Sequence, residues 1–232
     1  MKIGIEVECE FGDKTYTKIK KEKIGVYDYH STLRKNAYEN HFWAVERDGS
    51  LRAYSYDYVG EFISKKLGIK DVKNAYIDLK NFLTDNEFYI NNSCGFHHHV
   101  SFYNYQKYDF NILIKTMRER FFDLLEKQDI ERRIINNIKK HYYRDYAKKF
   151  DDIYCVNNRY YEFNPSKKNN YIYKIEWRSI NALGVTNVKD LETITKCVIV
   201  SVKFAIKNYE YEECKTIEDE EKYESEIEEI LI

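Results

Sequence analysis

Three short segments of this chain alternate apolar and ionisable residues with a period of two, and that pattern constrains the fold more than any other feature. In KIGIEVECEF (residues 2–11), Ile3, Ile5 and Val7 share one parity, while Gly4, Glu6, Glu8 and Glu10 share the other. An extended strand sends successive side chains to opposite faces, so this strand has an apolar face and a carboxylate face. In CGFHHHVS (94–101), His97 and His99 fall on one face and His98 on the reverse; in KIEWR (174–178), Glu176 and Arg178 fall on one face with Ile175 and Trp177 behind them. The pattern calls for a sheet with one face packed against a core and the other carrying ionisable groups.

The intervening chain supplies that core. DVKNAYIDLKNFLTDN repeats Val72, Ala75, Leu79 and Phe82 at helical spacing behind a candidate N-cap, Asp71. Helices are predicted over 71–84, 109–149 and 187–208. A short strand is expected at HFWAV, running into a turn at Asp48–Gly49, and a second element at YDYVGEFISKKL, which carries Glu61. Two strand pieces are expected on either side of the polar break NNSCG, and two more flank a loop containing Pro165. Residues 12 to about 41 read as a polar, Tyr-rich loop. The length of 232 residues suits one α+β domain over 1–209, followed by an acidic C-terminal helix or tail over 210–232, where 11 Asp+Glu fall between Glu210 and Glu229.

Composition excludes several classes. One Pro and 8 Gly rule out collagen-like and Pro-rich chains, and a net charge of -1 argues against a uniformly basic nucleic-acid coat. The basic charge is local: residues 115–149 hold 11 Lys+Arg against 6 Asp+Glu, interleaved with Tyr142, Tyr143 and Tyr146. Five cysteines without a CxxC pair fit a reducing compartment, here the cytoplasm, or a host's cytoplasm for a viral chain. No apolar run is long enough for a membrane span, and the N-terminus does not read as a signal peptide.

Each ionisable pair has an ordinary explanation when taken alone. Glu6 and Glu8 suit an exposed strand face, Glu176 with Arg178 a surface ion pair, Glu61 and Arg159 surface charge, and His98 a packing or surface position. Taken together, a sheet face lined with carboxylates, imidazoles and arginines calls for polyvalent ligands. Hard divalent ions take oxygen ligands and phosphates take arginine, a combination that Mg²⁺ (or Mn²⁺) and ATP satisfy. A P-loop and a GxGxxG turn are both absent.

The ordered set GIEVE (4–8), WAVERDGSL (43–51), GEFIS (60–64), CGFHHHVS (94–101), RYYEFN (159–164) and IEWR (175–178) resembles the amidoligase family of the glutamine synthetase and glutamate–cysteine ligase superfamily of carboxylate–amine ligases. The resemblance covers residues 3 to about 184, in the family's order. It implies a curved antiparallel sheet of the glutamine-synthetase catalytic type with helices on its outer face. It implies metal ligation by Glu6, Glu8, Glu61, His97 and Glu176, with Asp48 and Ser50 in the D-G-S-L segment. It also implies phosphate or nucleotide contacts from His99, Arg159 and Arg178. The implied reaction is ATP-dependent amide formation through an acyl phosphate, joining a small-molecule or peptide carboxylate to an amine, in a monomer or an oligomer. The alternatives are a nucleic-acid-binding or metal-dependent nucleic-acid-processing protein using 115–149, and an inactive nucleotide- or partner-binding relative. Deleting one carboxylate, by Glu6→Ala or Glu176→Ala, is expected to abolish metal-dependent activity and to relieve like-charge repulsion.

Overall fold

The computed structural model describes residues 1–26, 31–106, 110–141, 163–168, 171–178, 180 and 182–211. Among the described residues, eight strands form one sheet: β1 (Lys2–Phe11), β2 (Gly25–Val26), β3 (Trp43–Glu46), β4 (Tyr58–Ser64), β5 (Phe88–Tyr89), β6 (Phe96–Gln106), β7 (Phe163–Lys168) and β8 (Tyr171–Trp177). The order is β2-β3-β4-β1-β6-β8-β7, with β5 also paired to β1. β5 and β6 lie end to end along the same edge of β1, since β6 pairs with residues 2–7 and β5 with residues 10–11. The polar break at 91–95 therefore interrupts what would otherwise be a single strand, as its composition predicts.

The described residues also form six helices beside the sheet: α1 (Asp13–Lys21), α2 (Ser31–Asn40), α3 (Val72–Phe82), α4 (Phe110–Glu126), α5 (Arg132–His141) and α6 (Val188–Tyr211). The odd-numbered face of β1 is apolar and sealed, with Ile3, Ile5, Val7 and Cys9 at 0% exposure. Helices α3, α4 and α6 close over this face. Trp43 Nε1 donates to the Ala75 carbonyl of α3 at 2.6 Å, and Phe121 of α4 meets Trp177 edge-on at 5.1 Å between centroids. His98 Nε2 lies 2.8 Å from the Thr195 hydroxyl of α6, which is 2.6 Å from the Tyr76 hydroxyl of α3. His98 is thus a packing residue, held by a buried three-member polar chain between sheet and helices.

The α+β reading holds, but the curved antiparallel sheet expected from the resemblance is overturned. The sheet is open, with β2 and β7 at its two ends, and is not strongly curled. Curl is introduced by bulges and kinks. Here the ladders of β1 with β4 and β6 run without a register shift, and among the described residues shifts occur where β8 meets β6 and β7. The β2–β3 pair is moreover parallel, so the sheet is mixed.

Three local expectations also change. The region read as a polar loop contains α1 and α2, whose polar and charged residues mask a narrow apolar stripe: Thr15 and Ile19 are buried in α1 and Ala37 in α2. Asp71 makes no side-chain cap to α3; its carboxylate instead accepts the Gly68 N–H at 3.0 Å across a 3₁₀ turn. Pro165 sits within β7, an edge strand, where its missing N–H is tolerated. Among the described residues, no helix is long and apolar enough to cross a membrane. The acidic segment over 212–232 and the stretch 142–162 lie outside the described residues, and with them Arg159, Tyr142, Tyr143 and Tyr146.

Candidate metal centre

The even-numbered face of β1 gathers the ionisable residues because strand register leaves them no other place. Glu6 lies opposite His97, Gly4 opposite His99, and His99 opposite Glu176 on the next strand. Toward the other edge, Glu8 lies opposite Glu61, and Glu61 opposite Glu46. A band of carboxylates and imidazoles thus crosses five adjacent strands.

Within that band, Glu6, His97 and Glu176 each offer one ligand atom, and the three atoms lie within 4.8 Å of one another. Among the described residues this is the group whose spacing suits a metal ion. His97 Nδ1 is 3.2 Å from Glu6 Oε2 and His99 Nε2 is 2.7 Å from Glu6 Oε1. Arg178 Nη1 donates to Glu176 Oε1 at 2.5 Å. The donor set of two carboxylates and one imidazole fits a divalent cation. The imidazole suits Mn²⁺ better than Mg²⁺, which prefers all-oxygen coordination.

Electrostatics separates the carboxylates. Burial alone would raise the Glu6 pKa, but hydrogen bonds and charge from His97 and His99 outweigh it and hold Glu6 well below the usual carboxylate range. Glu61 moves the other way, to about 9, because it is buried and faces Glu6 and Glu8. Glu8 is also raised, first by burial, although His97 and the Gly95 N–H oppose the shift. Without a cation, Glu6 is therefore ionised and Glu61 protonated at neutral pH. Glu8 and Glu61 flank the triad without joining it. Asp48 accepts the Ser50 N–H at 2.7 Å in a local turn, and its charge contributes to the raised values of Glu8 and Glu61.

The break at 91–95 shapes the site. Glu8 N–H donates to the Gly95 carbonyl at 3.0 Å, and the Gly95 N–H donates back to the Glu8 carboxylate. A Cβ at Gly95 would lie 2.8 Å from His97 Cε1 and 3.1 Å from Glu8 Oε2, closer still to His97 Nε2. Only glycine lets the His97 ring fold over this turn. Glu10, on the same strand face, has a structural task. Its Oε2 accepts the N–H groups of Tyr54, Ser55 and Tyr56 at 2.8, 2.6 and 3.1 Å, and its Oε1 accepts Asn91 Nδ2 at 2.8 Å. Asn91 also donates to the Arg52 carbonyl at 2.7 Å, so the two loops beside the site are stitched together.

The sequence reading did not single out Glu46 or Asn91. Glu46 is 7% exposed and shares a face with Ala44, so the same alternation rule applied to WAVE would have found it. Asn91 carried no such signal, since its role depends on loops that meet only in the folded chain.

Much of the basic charge in the described part of 115–149 is neutralised locally. Arg132 and Lys139 both pair with Glu126, Arg133 lies 3.4 Å from Glu131, and Arg120 packs over the Phe204 ring. A cavity of about 270 Å³ lies between α1 and the β2–β3–β4 edge, lined in part by Phe11, Tyr16 and Tyr58, and includes none of the triad. No protein-family model and no curated protein matches this chain.

Proposed function

We propose that this protein is an ATP-dependent carboxylate–amine ligase of the amidoligase type, with Glu6, His97 and Glu176 holding Mg²⁺ or Mn²⁺. The observation that carries the reading is the convergence, on one sheet face, of a cation-competent triad with an arginine and a second histidine. Five of the six sequence segments that resemble the amidoligases contribute to or flank that face, and most of the sixth (159–164) lies outside the described residues. When bound, a divalent cation supplies charge neutralisation for phosphate oxygens. The chain's own residues do the rest. Glu6 orients His97 and His99 through its two carboxylate oxygens, and Arg178 offers a guanidinium to an oxyanion. Glu8 and Glu61 stand ready as further carboxylate ligands beside the triad, and Arg159 enters only through its motif.

In this scheme a substrate carboxylate attacks the γ-phosphorus of ATP, forming an acyl phosphate and releasing ADP. An amine then displaces phosphate and gives up a proton.

The test is a screen of amino acids and peptides, in carboxylate and amine pairs, for ADP and phosphate release with Mg²⁺ or Mn²⁺. Release that depends on both partners and is lost in Glu176→Gln supports the ligase. Cation-dependent cleavage or salt-sensitive retention of single-stranded DNA or RNA, without ADP formation, would replace it with the nucleic-acid reading.

A further inference from the structure

We infer that Arg178 couples the two halves of the site, so that an oxyanion bound to its guanidinium strengthens cation binding at Glu6, His97 and Glu176, and the cation strengthens oxyanion binding in return. The inference rests on the cation reading of the triad but not on the ligase chemistry.

Arg178 stands just beyond the end of β8, two residues from Glu176 and on the same side. Its Nη1 is engaged with Glu176 Oε1, and both side chains are largely enclosed, at 25% and 18% exposure. Glu176 is at the same time one of the three ligand donors. A guanidinium is always charged, so Arg178 holds a full positive charge against a carboxylate that a divalent ion also needs. Enclosure limits screening by solvent, and the two cations oppose each other through their shared carboxylate.

The other side of the guanidinium is differently placed. Arg178 Nε is buried and has no hydrogen-bond partner among the described residues. A buried N–H without an acceptor is costly, and such groups mark places where an acceptor is missing. The Nε edge of arginine, with its neighbouring terminal nitrogen, is a two-donor fork that matches a phosphoryl group or a carboxylate. An oxyanion there satisfies Nε and offsets the guanidinium charge while Nη1 stays on Glu176. The opposition to the cation is thereby removed. Since coupling between two equilibria is reciprocal, cation binding promotes oxyanion binding by the same factor.

Mn²⁺ titration, by calorimetry or by the resonance of free Mn²⁺, tests this in the wild type, Arg178→Gln, Arg178→Lys and Glu6→Gln. Methylphosphonate and acetate, each with a single oxyanion group, serve as probes of the two oxyanion sources, with their own Mn²⁺ association subtracted. In the wild type, one of the probes is expected to tighten Mn²⁺ binding about fivefold or more, a typical coupling factor. Arg178→Gln is expected to bind Mn²⁺ more tightly than the wild type without a probe and to lose the probe's effect. Arg178→Lys, with charge but no fork, keeps the weak binding and also loses the effect, which guards against misfolding of the glutamine variant. A probe effect of equal size in all Arg178 variants, or no effect of either probe on the wild type, overturns the coupling while leaving the triad intact. Absence of Mn²⁺ binding in the wild type overturns the triad and the coupling with it. The identity of the effective probe assigns the site to a phosphoryl or a carboxylate group.

Discussion

At Glu6 the carboxylate accepts two imidazole contacts, whereas at Glu61 the same group is half-buried opposite Glu8. Removing charge at these two positions therefore has opposite consequences, which reverses the expectation that deleting Glu6 relieves repulsion. Glu6→Gln is predicted to lower stability by about 1.5–3 kcal/mol, the range for hydrogen bonds to charged groups, as read from urea midpoints. Glu61→Gln is predicted to leave metal-free stability unchanged or raise it, because the group is already protonated at neutral pH. His98 supplies a pH signature at the same scale. Burial, aided by the charges of His97 and His99 and opposed by Glu6, pushes it down to about 3 from an ordinary value of 6.5. A depressed histidine takes up its proton in the unfolded chain first. Its contribution is present in full above pH 6.5 and is lost as pH falls from 6.5 toward 3, at up to about 1.4 kcal/mol per pH unit. Replacing it by glutamine is predicted to flatten the stability profile in that window, and unchanged slopes in the two proteins would refute this.

Among the elements, the interrupted strand β5–β6 does most to place the site. Gly95 allows the chain to turn against Glu8 while the His97 ring lies over the turn. Gly95→Ala is predicted to displace that ring and weaken Mn²⁺ binding at least tenfold, with far-ultraviolet circular dichroism unchanged. The loop over 51–57 depends on Glu10, which is fully buried and accepts three consecutive backbone N–H groups. Glu10→Gln keeps the size but loses the charge and presents a donor to donors. Hydrogen exchange at the amides of Tyr54, Ser55 and Tyr56 is predicted to speed up selectively, while amides of α6 keep their wild-type rates.

For the whole molecule, a sheet sealed on one face by α3, α4 and α6 provides a rigid base against which a charged face can be held. Carboxylates kept close together in this way favour the fold more strongly once a cation binds. Mn²⁺ at a hundred times its dissociation constant is predicted to stabilise the wild type by about 2.7 kcal/mol, reversibly on chelation, with no such gain in Glu6→Gln. Equal thermal shifts in the two proteins would show that the ion acts elsewhere.

Period-two alternation in the sequence was enough to place Glu6, Glu8, His97, His99, Glu176 and Arg178 on the faces of their strands, because side-chain direction in a strand is a local property of the backbone. The same local rule put His98 on the face opposite His97 and His99, and the polar, Gly-containing composition of 91–95 located the break. Strand order and register were not local. That Glu6 faces His97, that Glu61 faces Glu8 and Glu46, and that Glu10 and Asn91 join loops some 40 residues apart in sequence all depend on pairing between distant segments. The openness of the sheet was beyond sequence patterning for the same reason, since curl depends on where register shifts fall across several ladders. The chain's residues alone determined which groups could serve as ligands; tertiary pairing decided which of them come within ligand spacing of one another, and placed Arg178 on one of the same carboxylates.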